Sequence, residues 1–262
     1  MVSFQGNEMK YAMVLVFCLA FAVTTASADV TETRDYNFEL KPGGRISLSN
    51  VNGDIHIAGA SGNEVHVIAK KKAASQEYLD GLQIEVDSSD DLIRIETHHP
   101  ENRSWFHWGE HGDSSGSVSF ELTVPSGVEL DTIETVNGGI SIAGVKGPVS
   151  AETVNGKIAI EGLEGNAKLD TVNGTIDVQF DVLQSGQRVS ADAVNGRIIL
   201  RIPKNASAQI HAETVNGGID ADDFGLKPEK GFVGRDLDGK LGDGEARVNI
   251  DTVNGSVTIR HN

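Results

Sequence analysis

The sequence predicts an all-β protein folded as a parallel β-solenoid, a right-handed β-helix-like stack with about 18–22 residues in each coil. A short phrase centred on Val-Asn-Gly recurs, and in the second half its copies follow at steps of 18, 18, 22, 21 and 38 residues. A near-constant step of this size indicates one unit repeated along an axis. The copies are Val51-Asn52-Gly53, Thr135-Val136-Asn137-Gly138, Thr153-Val154-Asn155-Gly156, Thr171-Val172-Asn173-Gly174, Ala193-Val194-Asn195-Gly196, Thr214-Val215-Asn216-Gly217 and Thr252-Val253-Asn254-Gly255.

Apolar side chains alternate with other residues on both sides of each phrase, and a period of two with β-branched residues predicts strands. Examples are Val149/Ala151 and Val248/Ile250 before the phrase, and Ile158/Ile160 and Ile176/Val178 after it. We therefore expect strand, corner, strand and return loop in each coil. The corner should lie at Val-Asn-Gly, because Asn and Gly tolerate positive φ.

A β-hairpin is the competing interpretation, since Asn-Gly between alternating strands is its strongest short-range signal and would give an antiparallel meander. A hairpin gives no reason for the same Thr, Val and acidic residue to recur beside each Asn-Gly. Stacked coils do give one, because equivalent positions lie about 4.8 Å apart and pack on each other. Right-handed crossovers are the default for parallel strands.

Residues 9–28 have the features of a secretory signal peptide: a charged start, an apolar run from Tyr11 to Val23 and an Ala-x-Ala exit ending at Ala28. The apolar run is short for a membrane span, and we expect cleavage after Ala28. No membrane span is expected in the mature chain. The one cysteine, Cys18, lies in the run, so no disulfide is expected after cleavage. The formal net charge of −16 argues against nucleic acid and against simple adsorption to anionic lipid.

The mature chain should form a single β-solenoid domain over residues 29–262. We expect irregular N-terminal coils in 29–127, with a long loop at 98–116, and regular Val-Asn-Gly coils in 128–262. An acidic insertion at 222–247 is interpreted as a solvated loop before the last coil.

The 98–116 loop is a candidate ligand loop, because it holds both tryptophans and four of the eight histidines, and long loops of this kind often carry function. Its histidine spacing matches no established zinc pattern. The alternative is an exposed loop whose Trp rings fold back over the side of the solenoid. The candidate residues are His98, His99, Trp105, His107, Trp108 and His111.

Stacking should place the corner asparagines in a structural ladder, each side-chain amide bonded to the next, since buried amides are tolerated only when paired. Asn173→Ala, in the middle of the stack, should then cost about 1–3 kcal/mol. The ladder residues are Asn137, Asn155, Asn173, Asn195, Asn216 and Asn254.

The residue two positions before each corner valine is acidic in all six later repeats, and alternation turns it outward. One interpretation is a charged row that keeps the rod soluble. The sharper one is a row that binds Ca²⁺ or Mg²⁺ weakly, or meets a basic peptide. No other cofactor is expected. The candidate metal ligands are Glu134, Glu152, Asp170, Asp192 and Glu213; Asp251 also belongs to the pattern, but the insertion before it leaves its place in the row open.

The repeated corners, the signal peptide and the closing segment Gly242–Ile259 together resemble the bacterial putative-adhesin family of unknown function, over roughly residues 40–260. The resemblance implies a β-solenoid on the outer side of the cytoplasmic membrane and supplies no catalytic residue. The motif describes a coil rather than an active site.

The sequence therefore favours a non-catalytic, exported scaffold or adhesin-like binding protein, located in the periplasm, at the cell surface or outside the cell. Its partner would be an envelope component, either a protein or a polysaccharide. The alternative is a carbohydrate-active β-helix enzyme acting on polysaccharide. Such an enzyme needs calcium-holding acids with a basic Lys or Arg in a cleft, or a carboxylate pair. Lys157 and Arg197 stand singly in the repeats, which argues against it.

Overall fold

The computed structural model describes residues 29–100, 116–231 and 233–262, so the expected signal peptide and most of the 98–116 loop lie outside the described residues. The elements before the loop are β1 (Val30–Glu39), β2 (Arg45–Ser49), β3 (Ile55–Ala60), β4 (Glu64–Ala73), α1 (Gln76–Gly81), β5 (Gln83–Ser88) and β6 (Leu92–His98). The next elements are β7 (Gly116–Pro125), β8 (Glu129–Asn137), β9 (Ile140–Ala143), β10 (Val149–Leu163), β11 (Ala167–Phe180) and β12 (Arg188–Ile202). The remaining elements are β13 (Ala208–Asn216), β14 (Ile219–Asp220), a 3-10 turn (Asp222–Phe224), β15 (Glu229–Lys230), β16 (Arg235–Leu241), β17 (Ala246–Asn254) and β18 (Val257–His261).

Parallel pairing through the corners confirms the β-solenoid. β10 pairs in parallel with β11, and β11 with β12, in one register on both sides of Asn-Gly. Burial changes from odd-numbered Val149 and Ala151 before the corner to even-numbered Ile158 and Ile160 after it. Because the chain bends between these pairs, both flanks face the same core.

The corner glycines are required for a reason other than the one expected from the sequence. Of the glycines in the seven phrases, Gly53 alone has a positive φ, and no described residue other than glycine has one. A methyl group at Gly156 would instead overlap the carbonyl oxygen of Gly138 in the neighbouring coil, and one at Gly174 would overlap that of Gly156. The corner therefore uses glycine to let two backbones approach closely.

The threonine of the repeated phrase supports the same contact. Five of the seven phrases contain this threonine, and its side chain is buried in all five. In four of them its hydroxyl donates to the corner glycine carbonyl of the adjacent coil, whereas the buried Thr171 hydroxyl has no hydrogen-bond partner among the described residues. Thr153 Oγ1 lies 2.9 Å from the Gly138 oxygen, and Thr214 Oγ1 lies 3.0 Å from the Gly255 oxygen. A buried hydroxyl needs such a partner, which explains why threonine recurs at this position.

The coils do not stack in sequence order. β17, from the last coil, pairs in parallel with β12 on one side and with β13 on the other. The final coil therefore lies between the two coils that precede it along the chain. The expected neighbours Asn195 and Asn216 are separated by Asn254.

Residues 29–127, which were expected to form irregular coils, also contain antiparallel strands that belong to no coil. β2 and β3 form a coil, but β4 runs antiparallel to both β1 and β7, and β5 runs antiparallel to β6. β6 pairs in parallel with β2, and β7 with β3. β6 and β7 are thus the two halves of one coil, and the sequence between them contains no Val-Asn-Gly phrase.

The acidity of the 222–247 insertion predicted a solvated loop, and that prediction is wrong. It supplies β16, which pairs antiparallel with the exposed edge of β13. Leu237 on β16 is fully buried. The insertion therefore covers the free edge of β13, which, left unpaired, could form a β-sheet with another chain.

Candidate functional site

In the six later corners two outward side chains flank a buried residue, an acid before it and a valine after it; the buried residue is threonine in five of them and Ala193 in the other. Glu152 and Val154 flank Thr153 in β10, and Asp170 and Val172 flank Thr171 in β11. Since the coils stack in register, the acids form one row and the valines another, and both run along the axis of the stack.

The carboxylate row is continuous across the middle of the molecule. Register pairs Glu134 with Glu152, Glu152 with Asp170, and Asp170 with Asp192. Asp251, whose place the sequence left open, pairs with Asp192 on one side and Glu213 on the other. We call the six residues the carboxylate row, in the spatial order Glu134, Glu152, Asp170, Asp192, Asp251, Glu213.

The same row of positions continues beyond the repeats, which sequence reasoning missed. Ser49 stands opposite Glu134 and donates a hydrogen bond to its carboxylate, and Glu96 stands beyond Ser49. At the other end Asp236 on β16 stands opposite Glu213. Neither Glu96 nor Asp236 precedes a Val-Asn-Gly phrase, so the motif carried no signal for them.

Like charges and partial burial act together on this row. Burial, followed by the charges of Asp192 and Glu152, raises the pKa of Asp170 against the opposing effect of Lys168. Burial, followed by the charges of Asp192 and Glu213, likewise raises the pKa of Asp251. A raised carboxyl pKa means that the ionised form costs free energy in the folded protein. A positively charged partner would relieve part of that cost.

The valine row is the second wall, and the sequence analysis did not single it out. Eight large hydrophobic side chains are exposed in the described part of the chain, and six of them belong to this row. Their exposed fractions lie between 36% and 44%. The signal was available, because an outward acid implies an outward residue two positions later. The row consists of Val51, Val136, Val154, Val172, Val194, Val253 and Val215, with Val154 less exposed than the rest.

Between the two rows lies a shallow groove of about 400 Å³ over the coils from Glu152 to Glu213. Its sides are the carboxylates and the valines, and the corner threonines lie at its base. The groove is open to solvent along its length, so it suits an elongated ligand better than a compact one.

The corner asparagines lie beside the valine row and form a chain of side-chain hydrogen bonds. Asn155 donates to Asn137 at 2.9 Å, and Asn173 donates to Asn155 at 3.0 Å. Asn254 donates to Asn195 at 2.8 Å, and Asn216 donates to Asn254 at 2.9 Å. The side chains are exposed rather than buried. The chain, which we call the asparagine ladder, runs Asn52, Asn137, Asn155, Asn173, Asn195, Asn254, Asn216.

Asn52 was not among the expected ladder residues, although its own Val-Asn-Gly phrase pointed to it. It accepts a hydrogen bond from Asn137 at 2.8 Å and donates one to the Gly116 carbonyl at 3.3 Å. We call the carboxylate row, the valine row and the asparagine ladder together the corner edge.

The expected metal site has little support in the geometry. Among residues 29–100, 116–231 and 233–262, no three His, Cys, Asp or Glu side chains converge as ligands of one metal ion would. Glu134, Glu152, Asp170, Asp192 and Glu213 lie in a line rather than around a centre. Cation binding by this row stays a prediction.

The candidate ligand loop is described only at its start. His98 Nε2 lies 3.2 Å from a carboxylate oxygen of Glu85, and His99 Nδ1 lies 3.1 Å from the Tyr78 hydroxyl oxygen. Burial lowers the pKa of His99, which favours the neutral ring. Trp105, His107, Trp108 and His111 lie outside the described residues.

The stacked coils and the corner edge define a repeat protein of the β-solenoid class with one long amphipathic edge. The chain belongs to the Toastrack DUF4097 family, whose model matches residues 20–260, and this confirms the resemblance drawn from the sequence. No curated protein matches it. No helix in the described residues is long and apolar enough to cross a membrane.

Similar solved structures share little sequence with this chain. A putative cell adhesion protein from Clostridium sporogenes ATCC 15579 is 15% identical, with a TM-score of 0.42 over 88% of this chain and 100% of that one. A putative adhesin from Bacteroides fragilis NCTC 9343 is 12% identical, with a TM-score of 0.41 over 89% of this chain and 98% of that one. A putative lipid binding protein from Parabacteroides distasonis ATCC 8503 is 11% identical, with a TM-score of 0.28 over 88% and 96%.

Proposed function

We propose that the protein is an exported, non-catalytic scaffold of the cell envelope that binds an envelope component along its corner edge. The observation that carries the proposal is the valine row. An exposed apolar side chain is ordinary when it stands alone, but most of those in the described part of the chain share one line. Contiguous exposed apolar surface marks interaction sites.

Export is the second part of the proposal. It rests on the apolar run from Tyr11 to Val23 and the Ala-x-Ala exit ending at Ala28, and the single domain of residues 29–262 would begin directly after it. Mass spectrometry of the native protein should find a mature chain that begins at Asp29. Recovery of the uncleaved chain from the cytosol would contradict export.

The test of binding compares envelope retention of the wild-type protein with that of a Val172→Ser/Val194→Ser variant. We expect the wild-type protein to sediment with washed envelopes and the variant to move to the soluble exported fraction. Val182→Ser is the matched control, because Val182 is 48% exposed but lies outside the row. Equal retention of all three proteins would contradict binding at this edge.

The enzyme alternative is checked with the same purified protein. Acidic and neutral polysaccharides are incubated with it, and new reducing ends and unsaturated products are measured. We expect neither product above the level of a buffer control. Cleavage that is lost on mutation of the carboxylate row would replace the scaffold proposal with a carbohydrate-active enzyme.

A further inference from the structure

The walls of the groove have a defined spacing. Acid and valine are two residues apart along one strand, which separates the two rows by about 7 Å, and successive coils are about 4.8 Å apart. The seven members of the valine row, from Val51 to Val215, extend over about 29 Å, and the groove covers the five coils from Glu152 to Glu213, about 19 Å of that length. The groove is therefore narrow and long, and its two sides differ in chemistry throughout.

An extended polypeptide fits these dimensions better than a helix does. Successive side chains of an extended strand point to opposite sides at about 3.3 Å per residue, so about six residues would cover the groove and about nine would cover the whole valine row. Alternate side chains would then face alternate walls. An α-helix with its side chains is about 10–12 Å wide and presents one face rather than two opposite ones.

The charge of the groove selects the sign of the partner. Within the described residues, Lys168 lies 3.8 Å from Asp170 and His211 lies 3.1 Å from Glu213. Glu152, Asp192 and Asp251 make no ion pair in the same part of the chain. Anionic lipid headgroups and acidic polysaccharides would be repelled by this row, whereas Lys and Arg side chains would be attracted to it.

We propose that the groove of the corner edge holds one extended basic polypeptide segment that lies along the axis of the stack. Its Lys or Arg side chains face the carboxylate row, and the apolar residues that alternate with them face the valine row. The inference rests on the proposed function, because it names the class of partner that the same edge would bind. A partner with alternating basic and apolar residues satisfies both walls, and one that is only basic or only apolar satisfies one.

The direct probe is a fluorescein-labelled nonapeptide of alternating lysine and valine, titrated with the purified mature protein and followed by fluorescence polarisation. Two matched peptides replace every lysine with glutamate, or every valine with serine. We expect the glutamate peptide to bind at least about 30-fold more weakly, because it meets like charge. The serine peptide should bind at least about 5-fold more weakly than the lysine–valine peptide, because it leaves the valine row uncovered. Raising NaCl from about 50 to 300 mM should weaken the lysine–valine peptide about 5-fold or more.

Variants of the protein assign the effect to the two walls. Asp170→Asn/Asp192→Asn and Val172→Ser/Val194→Ser should each weaken the lysine–valine peptide by about tenfold or more, since each removes two neighbouring positions of one wall. Circular dichroism and thermal melting confirm that each variant is folded.

Two single substitutions are the matched controls. Glu64→Gln and Val182→Ser make the same chemical changes at exposed positions away from the edge and should change the affinity less than twofold. Unchanged affinity in either double variant would overturn the proposal, and so would equal binding of the serine peptide.

Competing occupants give distinguishable results. If calcium chloride displaces the peptide or raises the melting temperature more than sodium chloride of equal ionic strength, and Asp170→Asn/Asp192→Asn removes the gain, the row is a cation site and the proposal fails. Loss of envelope retention on mutation of the valine row, without binding of the peptide, would leave the proposed function standing and refute its basic partner. Tight peptide binding by a protein that stays in the cytosol would support the basic partner and refute the proposed function in the cell envelope.

Discussion

Gly174→Ala tests why a glycine stands at every corner. The position where the alanine methyl would lie is occupied by the carbonyl oxygen of Gly156 in the adjacent coil. The obstacle is backbone held on both sides by parallel pairing, so it cannot rotate away as a side chain could. The backbone at Gly174 does not have a positive φ, so the substitution introduces crowding without dihedral strain.

The expected loss of stability follows from two contributions. Overpacking in a closely packed region typically costs about 1–3 kcal/mol. Separation of the coils would also weaken the two ladder bonds of Asn173, to Asn155 and from Asn195, both 3.0 Å long. Because these side chains are exposed and water can replace the bonds, we add about 1 kcal/mol. The sum, about 2–4 kcal/mol, corresponds to a fall of about 10 °C in melting temperature for a chain of this size.

Chemical denaturation and calorimetry measure the change, and two further substitutions separate the causes. A methyl group at Gly127 would meet no neighbouring atom within 4 Å, and the φ of Gly127 is not positive, so Gly127→Ala should be neutral or slightly stabilising. Asn accepts positive φ but carries the same Cβ, so Gly174→Asn should be as harmful as Gly174→Ala. If Gly174→Ala lies within about 1 kcal/mol of the wild-type protein, or if asparagine restores stability, close backbone approach is not the reason for glycine.

Three further outcomes are expected, each read from the free energy of unfolding. The raised pKa of Asp170 makes its ionisation destabilising, so the contribution of Asp170 to stability should fall as pH rises from about 4 through its folded pKa. Asp170→Asn should therefore be more stable than the wild-type protein by up to about 1 kcal/mol at pH 7 and equal to it at pH 3. Hydrogen bonding to Asp238 raises the pKa of His211. The stability that His211 contributes to the folded protein is therefore complete below about pH 6.5 and disappears as pH rises through the folded pKa. His211→Gln should therefore be less stable than the wild-type protein at pH 5.5, by less than about 1 kcal/mol, and equal at pH 9. Asn173→Ala should cost about 1 kcal/mol or less rather than 1–3, because the ladder is exposed, and a larger loss would show that water does not replace its bonds.

The sequence predicted the coil and its outward acids because both follow from short periods. Alternation separated Ala151 and Thr153 from Glu152, and the repeated phrase placed one coil above another. It could not predict the order of the coils. The later coils present the same Val-Asn-Gly surface to either neighbour, so the intercalation of β17 between β12 and β13 has no local signature.

Two other features depended on contacts distant in sequence. Lys71 is the middle residue of three consecutive lysines, a composition typical of solvated surface, yet its side chain is 2% exposed and its ammonium lies 2.8 Å from a carboxylate oxygen of Glu32. Glu96 and Asp236 extend the line of acids from strands that carry no repeat phrase. In each case a pairing between strands far apart in the chain brings the groups together, and composition near the residue does not indicate it.

The position of the last coil connects the folding of the chain to the corner edge. Asp251 and Val253 lie in the middle of their rows, between residues of β12 and β13, although they belong to the final strands of the chain. β13 has β17 and β16 as its sheet partners, and both come after it in sequence. The part of the groove that β17 and β13 line therefore cannot form without β17, which ends at Asn254. A partner that contacts every coil of the corner edge would bind only a chain that contains β17, whereas one that covers three or four coils needs only the part from Glu134 to Asp192.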